Sequence, residues 1–127
     1  MQEQHIYEYA VIRVVPRVER EEFLNIGVIL FCKREKFIKV LFEINEAKLR
    51  LFSNELDIEQ VRLNIQAFAT VAHGDKEGGP IGEFDLPSRF RWLTALRSSA
   101  IQTSRPHPGL CHDLYRTTQR LFEDLVL

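Results

Sequence analysis

Between Tyr7 and Cys32 the apolar positions gather into two segments on either side of a polar connection. In the first, Tyr7, Tyr9, Val11 and Val15 share one face with Arg13, while Ala10, Ile12 and Val14 share the other, the two-residue alternation of a strand covered on both sides. Pro16 ends it, because proline has no N–H to give to a ladder. Arg17 to Glu22 is polar and suits one helical turn. Asn25 to Cys32 then runs almost unbroken in β-branched and apolar residues, the composition of a strand in the middle of a sheet. The charged turn Lys33 to Lys36 leads into a third strand, Phe37 to Glu43, with Ile38, Val40 and Phe42 on one side and Lys39 on the other, so the second and third strands make a hairpin. Gly27, inside the second strand, marks a bulge or a close approach; room for a neighbouring aromatic ring is a better account of it than the approach of a ligand.

From Asn45 onward the period lengthens. Asn45 can cap a short helix, Glu46 to Phe52. Asp57, with Gln60 three residues later, opens a stronger one in which Ile58, Val61, Ile65, Phe68 and Ala72 recur at helical spacing and Gly74 supplies the stop. Residues 74–91 are dense in glycine and proline and are expected to be irregular. Ala100 to Thr103 suits a fourth strand, Arg105 to Gly109 a rigid loop, and from Asp113 a closing helix presents Leu114, Thr118, Leu121, Phe122 and Leu125 on one face. Strands first and helices after predict an α+β domain: a small, largely antiparallel sheet of three N-terminal strands and a possible fourth, packed against two main helices.

Length and composition add limits. A chain of 127 residues, 45% hydrophobic and 28% charged, fits a single globular domain over residues 1–127 that needs no metal or disulfide to hold its core. A formal net charge of −1 gives no global field toward nucleic acid or a membrane, so any anion site must be local. The N-terminal stretch lacks the pattern of a secretory signal, and no apolar run is long enough for a membrane span, so a cytoplasmic protein with no membrane partner is expected, its Cys32 and Cys111 reduced.

Few residues suggest chemistry. Gly78 to Gly82 resembles a phosphate cradle only superficially, since no Lys-Ser or Lys-Thr follows and Pro80 removes an amide. His107, Cys111, His112 and Asp113 lack the spacing of a metal site, and neither a metal nor a cofactor is expected. Two polar groups remain. One is built on Arg13, Arg17, Glu19 and Asn25, with Arg20 and Glu22 beside them; the other holds Arg89, Arg91, Arg97, Ser98, Ser99, Gln102, Ser104, Arg105 and His107. Guanidinium forks and hydroxyls are the donors that hold phosphate or carboxylate. In a ligand site Arg13, Arg17 and Arg97 would hold an anion, Ser98 and Gln102 would orient it, and Glu19 or His107 would serve as base. The plainer alternative pairs Arg13 with Glu19 or Glu22 and leaves the other charges solvated. Aromatic residues interleave little with these bases, which argues against a nucleic-acid partner.

The stretch Tyr9 to Leu30 resembles the N-terminal signature of a bacterial family known as domain of unknown function 3037. Gly79-Pro80-Ile81-Gly82, Arg89-Phe90-Arg91-Trp92-Leu93, and Arg97-Ser98-Ser99 followed by His107-Pro108-Gly109-Leu110 are similar to its later motifs. The resemblance covers nearly the whole chain. It implies a small bacterial cytoplasmic protein and an accessory or interaction role beside a kinase-like protein; it carries over no catalytic residue. Whether the chain is an interaction module or a sensor or enzyme for a phosphate-containing ligand such as a nucleotide stays open at this level.

Overall fold

The computed structural model describes residues 3–74, 79–95 and 99–127. Strand β1 (His5–Val14) is central: β2 (Leu24–Cys32) pairs with one side of it and β3 (Phe37–Phe42) lies beyond β2, while β4 (Ile101–Thr103) and β5 (His107–Cys111) pair one after the other with its second side. All the pairings are antiparallel. The helices are α1 (Glu46–Phe52), α2 (Ile58–Ala72), the single turn α3 (Gly79–Gly82), α4 (Leu86–Leu93) and α5 (Leu114–Leu125). A 3-10 turn, Val18–Arg20, lies in the connection between β1 and β2. The architecture is α+β with an open sheet.

The alternation read in β1 sets the layers. Ala10, Ile12 and Val14 point into the larger core with Ile29, Phe31 and Val40, under Ile58, Val61, Ile65 and Phe68 of α2 and Phe90 and Leu93 of α4. The Phe31 and Phe90 rings stack with centroids 4.9 Å apart. On the opposite face Tyr7, Leu30 and Cys32 meet Leu114 of α5 in a smaller core. Thr118 is buried at this interface, and its hydroxyl donates to the Leu114 carbonyl at 2.7 Å, which offsets the cost of burying it. Side chains on β2 and α1 fix the end of α5: the Asn25 amide donates to the Leu125 carbonyl at 3.1 Å and Lys48 Nζ to the Val126 carbonyl at 3.2 Å, satisfying two of the carbonyls that a helix C-terminus leaves unpaired.

Two expectations change. Of the stretch 74–91, residues 75–78 lie outside the described residues, and residues 79–91 are less irregular than their glycine and proline content suggests, because α3 and most of α4 form there; Asp85 caps α4 by accepting from the Ser88 N–H at 2.9 Å, and Pro87 sits in the first turn, where its missing N–H costs nothing. The expected rigid loop Arg105–Gly109 gives up its second half to β5. Pro108 is tolerated because β5 is an edge strand, and Gly109 because the Tyr7 ring lies across it and fills the space where a Cβ would stand. Between β4 and β5 the ladder of β1 is kept filled by Ser104, whose N–H donates to the Val11 carbonyl at 2.8 Å and whose Oγ accepts from the Val11 N–H at 2.9 Å.

Gly27 answers to a close approach within the sheet: an added Cβ would lie 2.6 Å from the Leu41 carbonyl oxygen and 2.9 Å from Phe42 Cβ. Beside it the register of β1 and β2 shifts, with Ile12 opposite Gly27 but Arg13 opposite Asn25, so Ile26 is the extra residue of a bulge. Both cysteines are free thiols, Cys32 buried and Cys111 half-buried. No helix among the described residues is long and apolar enough to cross a membrane.

Candidate functional site

Helix α5 packs over β2 and β3. Toward β4 and β5 the same face of the sheet opens to solvent, where His107 is exposed and Tyr9, Arg13 and Gln102 are half-buried. Arg13 stands in this open half, next to the bulge. Its neighbours in register are Asn25 on β2 and Gln102 on β4, so the three side chains form one row across three strands on one face. The two polar groups separated by most of the sequence therefore meet at Arg13 and Gln102.

Arg13 is not paired with Glu19 or Glu22. Among the described residues it has no ion pair: Glu22 bonds Arg20, and Glu19 lies exposed on the 3-10 turn. Glu21 adopts the left-handed conformation, φ 56°, its N–H donating to the Val18 carbonyl at 3.2 Å, and Glu22 finds its cation within the connection, in Arg20. What meets the guanidinium is Phe23, whose ring centroid lies 3.8 Å from Arg13 Cζ. The planar cation lies against an aromatic face, an attraction worth about 0.5–1 kcal/mol where water still has access. Arg13 Nε is buried without a hydrogen-bond partner, and so is Oδ1 of its cross-strand neighbour Asn25. Burial pulls the Arg13 guanidinium below the ordinary arginine value, though it stays protonated at neutral pH. The guanidinium thus carries a buried N–H donor without an acceptor, stands beside a buried amide oxygen without a donor, and has no ion pair among the described residues.

The remaining sequence candidates have separate places. Gln102 Nε2 donates to the Ser99 carbonyl at 2.9 Å, which anchors the start of β4. His107 stands opposite Tyr9 on β5, with ring centroids 5.3 Å apart. It lies four residues along β1 from the Arg13 row, roughly 13 Å at the usual strand rise. Arg17 belongs to a different feature, a groove between the connection and the end of α1, where its Nε lies 3.2 Å from Glu55 Oε2. Arg97 and Ser98 lie outside the described residues. Of the second polar group, Arg89 caps α2 by donating to the Ala72 carbonyl at 3.2 Å, and Arg91 pairs with Glu8 at 3.3 Å; both hold elements together. Among the described residues no three His, Cys, Asp or Glu side chains gather as a metal ion requires.

Phe23 is the residue that sequence reasoning missed. An aromatic side chain at the end of a charged connection reads as a hydrophobic lead-in to β2, yet it is 44% exposed and spends its face on Arg13. Arg120, exposed on α5, lies near enough to Tyr7 to oppose, by its charge, the upward shift that burial imposes on that phenol.

The result is a three-layer α+β frame with a cationic, aromatic-backed row on the open half of its sheet. The chain belongs to the family described as Protein of unknown function (DUF3037), whose model matches residues 9–126. No curated protein and no solved structure matches it.

Proposed function

We propose that this chain is a single-domain, non-enzymatic accessory module of the bacterial cytoplasm that docks a protein partner on the open half of its sheet, with Arg13 as the anchor for an acidic side chain of that partner. One observation carries the reading: a half-buried guanidinium in the central strand that has no carboxylate partner among the described residues. Such an arrangement is costly in the free protein, and a partner carboxylate arriving in bidentate geometry offsets that cost. Phe23 holds the fork flat and narrows its rotamers, so little freedom is lost on binding. Tyr9 and His107 extend the surface with aromatic area suited to an interface. A kinase-like protein is the first partner to try, on the strength of the family resemblance.

The test is size-exclusion chromatography and melting of the chain with kinase-like proteins encoded beside it. A stable complex that Arg13→Glu abolishes is expected. Elution as an unaccompanied monomer in mild salt, with no shift in size or melting temperature for any neighbouring gene product, would overturn the proposal.

A further inference from the structure

A second polar feature lies away from the Arg13 row. A groove of about 420 Å³ runs between the connection from β1 to β2 and the end of α1, and Arg17, Arg20 and Arg50 line it together with Glu22 and Glu55. None of Arg13, Asn25 or Gln102 contributes to it. Arg17 stands at the N-cap position of the 3-10 turn and Arg20 ends it, and the Arg20 N–H donating to the Arg17 carbonyl at 3.2 Å keeps the two residues close, where both line the groove. Arg50, in the last turn of α1, faces them from across the groove and has no ion pair among the described residues.

The two carboxylates are held in exposed pairs: Arg17 meets Glu55 at two points, Nε to Oε2 at 3.2 Å and Nη2 to Oε1 at 3.5 Å, and Arg20 Nε meets Glu22 Oε1 at 2.5 Å. Arg17 and Glu55 are 51% and 62% exposed, Arg20 and Glu22 60% and 53%. Ion pairs as exposed as these contribute about 0–1 kcal/mol each, so a better anion can displace them. A phosphate monoester is a better anion: it is a dianion with oxygens spaced for bidentate guanidinium contacts. Ser53 and Asn54 add hydroxyl and amide donors to the lining, and the exposed Leu51 with Phe52 adds an apolar wall. The volume lies in the usual small-ligand range of about 300–1,000 Å³.

We infer that this groove binds a phosphorylated small molecule of mononucleotide size, its phosphate taken by Arg17, Arg20 and Arg50 as Glu22 and Glu55 are displaced. The inference is independent of the partner surface at Arg13. It makes an unusual demand, that removing acidic residues from the lining strengthens the site.

The experiment is a low-salt titration of the full chain, followed by amide NMR, with adenosine monophosphate, inorganic phosphate and adenosine. Adenosine monophosphate is expected to shift the signals of residues 16–22 and 50–55 at millimolar concentration, and adenosine to leave them in place. Glu22→Gln and Glu55→Gln should each tighten binding about threefold, and Arg50→Ala should weaken it about tenfold. Arg13→Met should leave the titration unchanged, which separates failure of this site from failure of the partner surface. No shift at millimolar nucleotide, equal shifts with adenosine, or unaltered affinity in both glutamine variants would overturn the inference. Inorganic phosphate binding as tightly as the nucleotide would overturn the assignment of a nucleotide-sized ligand.

Discussion

Replacing Arg13 by methionine should make the protein more stable. The substitution removes a buried Nε–H that has no acceptor, a defect that costs about 1–3 kcal/mol. It forfeits the contact between the guanidinium and Phe23, worth about 0.5–1 kcal/mol at a half-exposed position. Methionine has an unbranched chain of similar reach, and its sulfur can take the place of the cation over the Phe23 ring. No carboxylate is stranded, because no ion pair is broken among the described residues. The balance is a gain of up to about 2.5 kcal/mol, centred on about 1, and for a chain of this size about 1 kcal/mol moves Tm by about 4 °C. Calorimetric melting at neutral pH should therefore place Arg13→Met about 5 °C above wild type, and at most about 10 °C above it. Arg13→Lys, which keeps a charge but loses the flat face toward Phe23, should melt at or below wild type. A fall of 4 °C or more for Arg13→Met, on the order of 1 kcal/mol, would refute the reasoning, because it would mean that the guanidinium holds the fold together through a favourable pair.

Two further outcomes follow from local geometry. Gly27→Ala should cost about 1–3 kcal/mol by urea unfolding, since the new Cβ would meet the Leu41 carbonyl and Phe42 Cβ at a central strand pair that cannot move apart without repacking the sheet; an alanine variant as stable as wild type would remove the steric account of that glycine. Asp85 is held below its ordinary carboxylate value chiefly by the Ser88 hydroxyl and then by the Ser88 N–H, so its charge favours the fold above the unfolded-chain value, and that contribution is lost as pH falls through the lower folded-state value. Melting temperatures of wild type and Asp85→Asn should accordingly differ at neutral pH and converge in acid, and a constant gap down to strongly acidic pH would contradict the assignment.

Much of the frame is legible in the chain because burial imposes its periods directly. Strand β1 shows both faces in its alternation, and α2 and α5 announce their caps at Asp57 and Asp113 and their stripes at three- and four-residue spacing. Helix α4 is harder to see for a physical reason: eight residues give too few turns to display a period, and Pro87 looks like a breaker although it sits where a helix accepts proline. Its signal was Asp85 three residues ahead of Ser88. Strand β5 hides because His107-Pro108-Gly109 has the composition of a turn; only the tertiary position of Tyr7 makes Gly109 good strand material. The candidate site divides in the same way. That Arg13 is an anomaly inside a strand follows from alternation alone. Its lack of a carboxylate partner among the described residues does not, because nearness in sequence to Glu19 and Glu22 does not show that Glu22 takes Arg20 and that the Phe23 ring takes the Arg13 guanidinium. Nor can local sequence show that Gln102 stands beside Arg13, which is a matter of register between strands far apart in the chain.

The most direct test of the account observes the Arg13 side chain as a partner arrives. With arginine side chains labelled in nitrogen-15, the Nε–H signal of Arg13 can be assigned by its disappearance in Arg13→Met and followed during titration with a kinase-like protein encoded beside this one. Binding should move that signal strongly, together with the ring protons of Phe23, as a carboxylate engages the Nη end of the same guanidinium and changes the field at Nε. A saturated complex in which both signals stay where they are in the free protein would contradict the claim that Arg13 is the anchor.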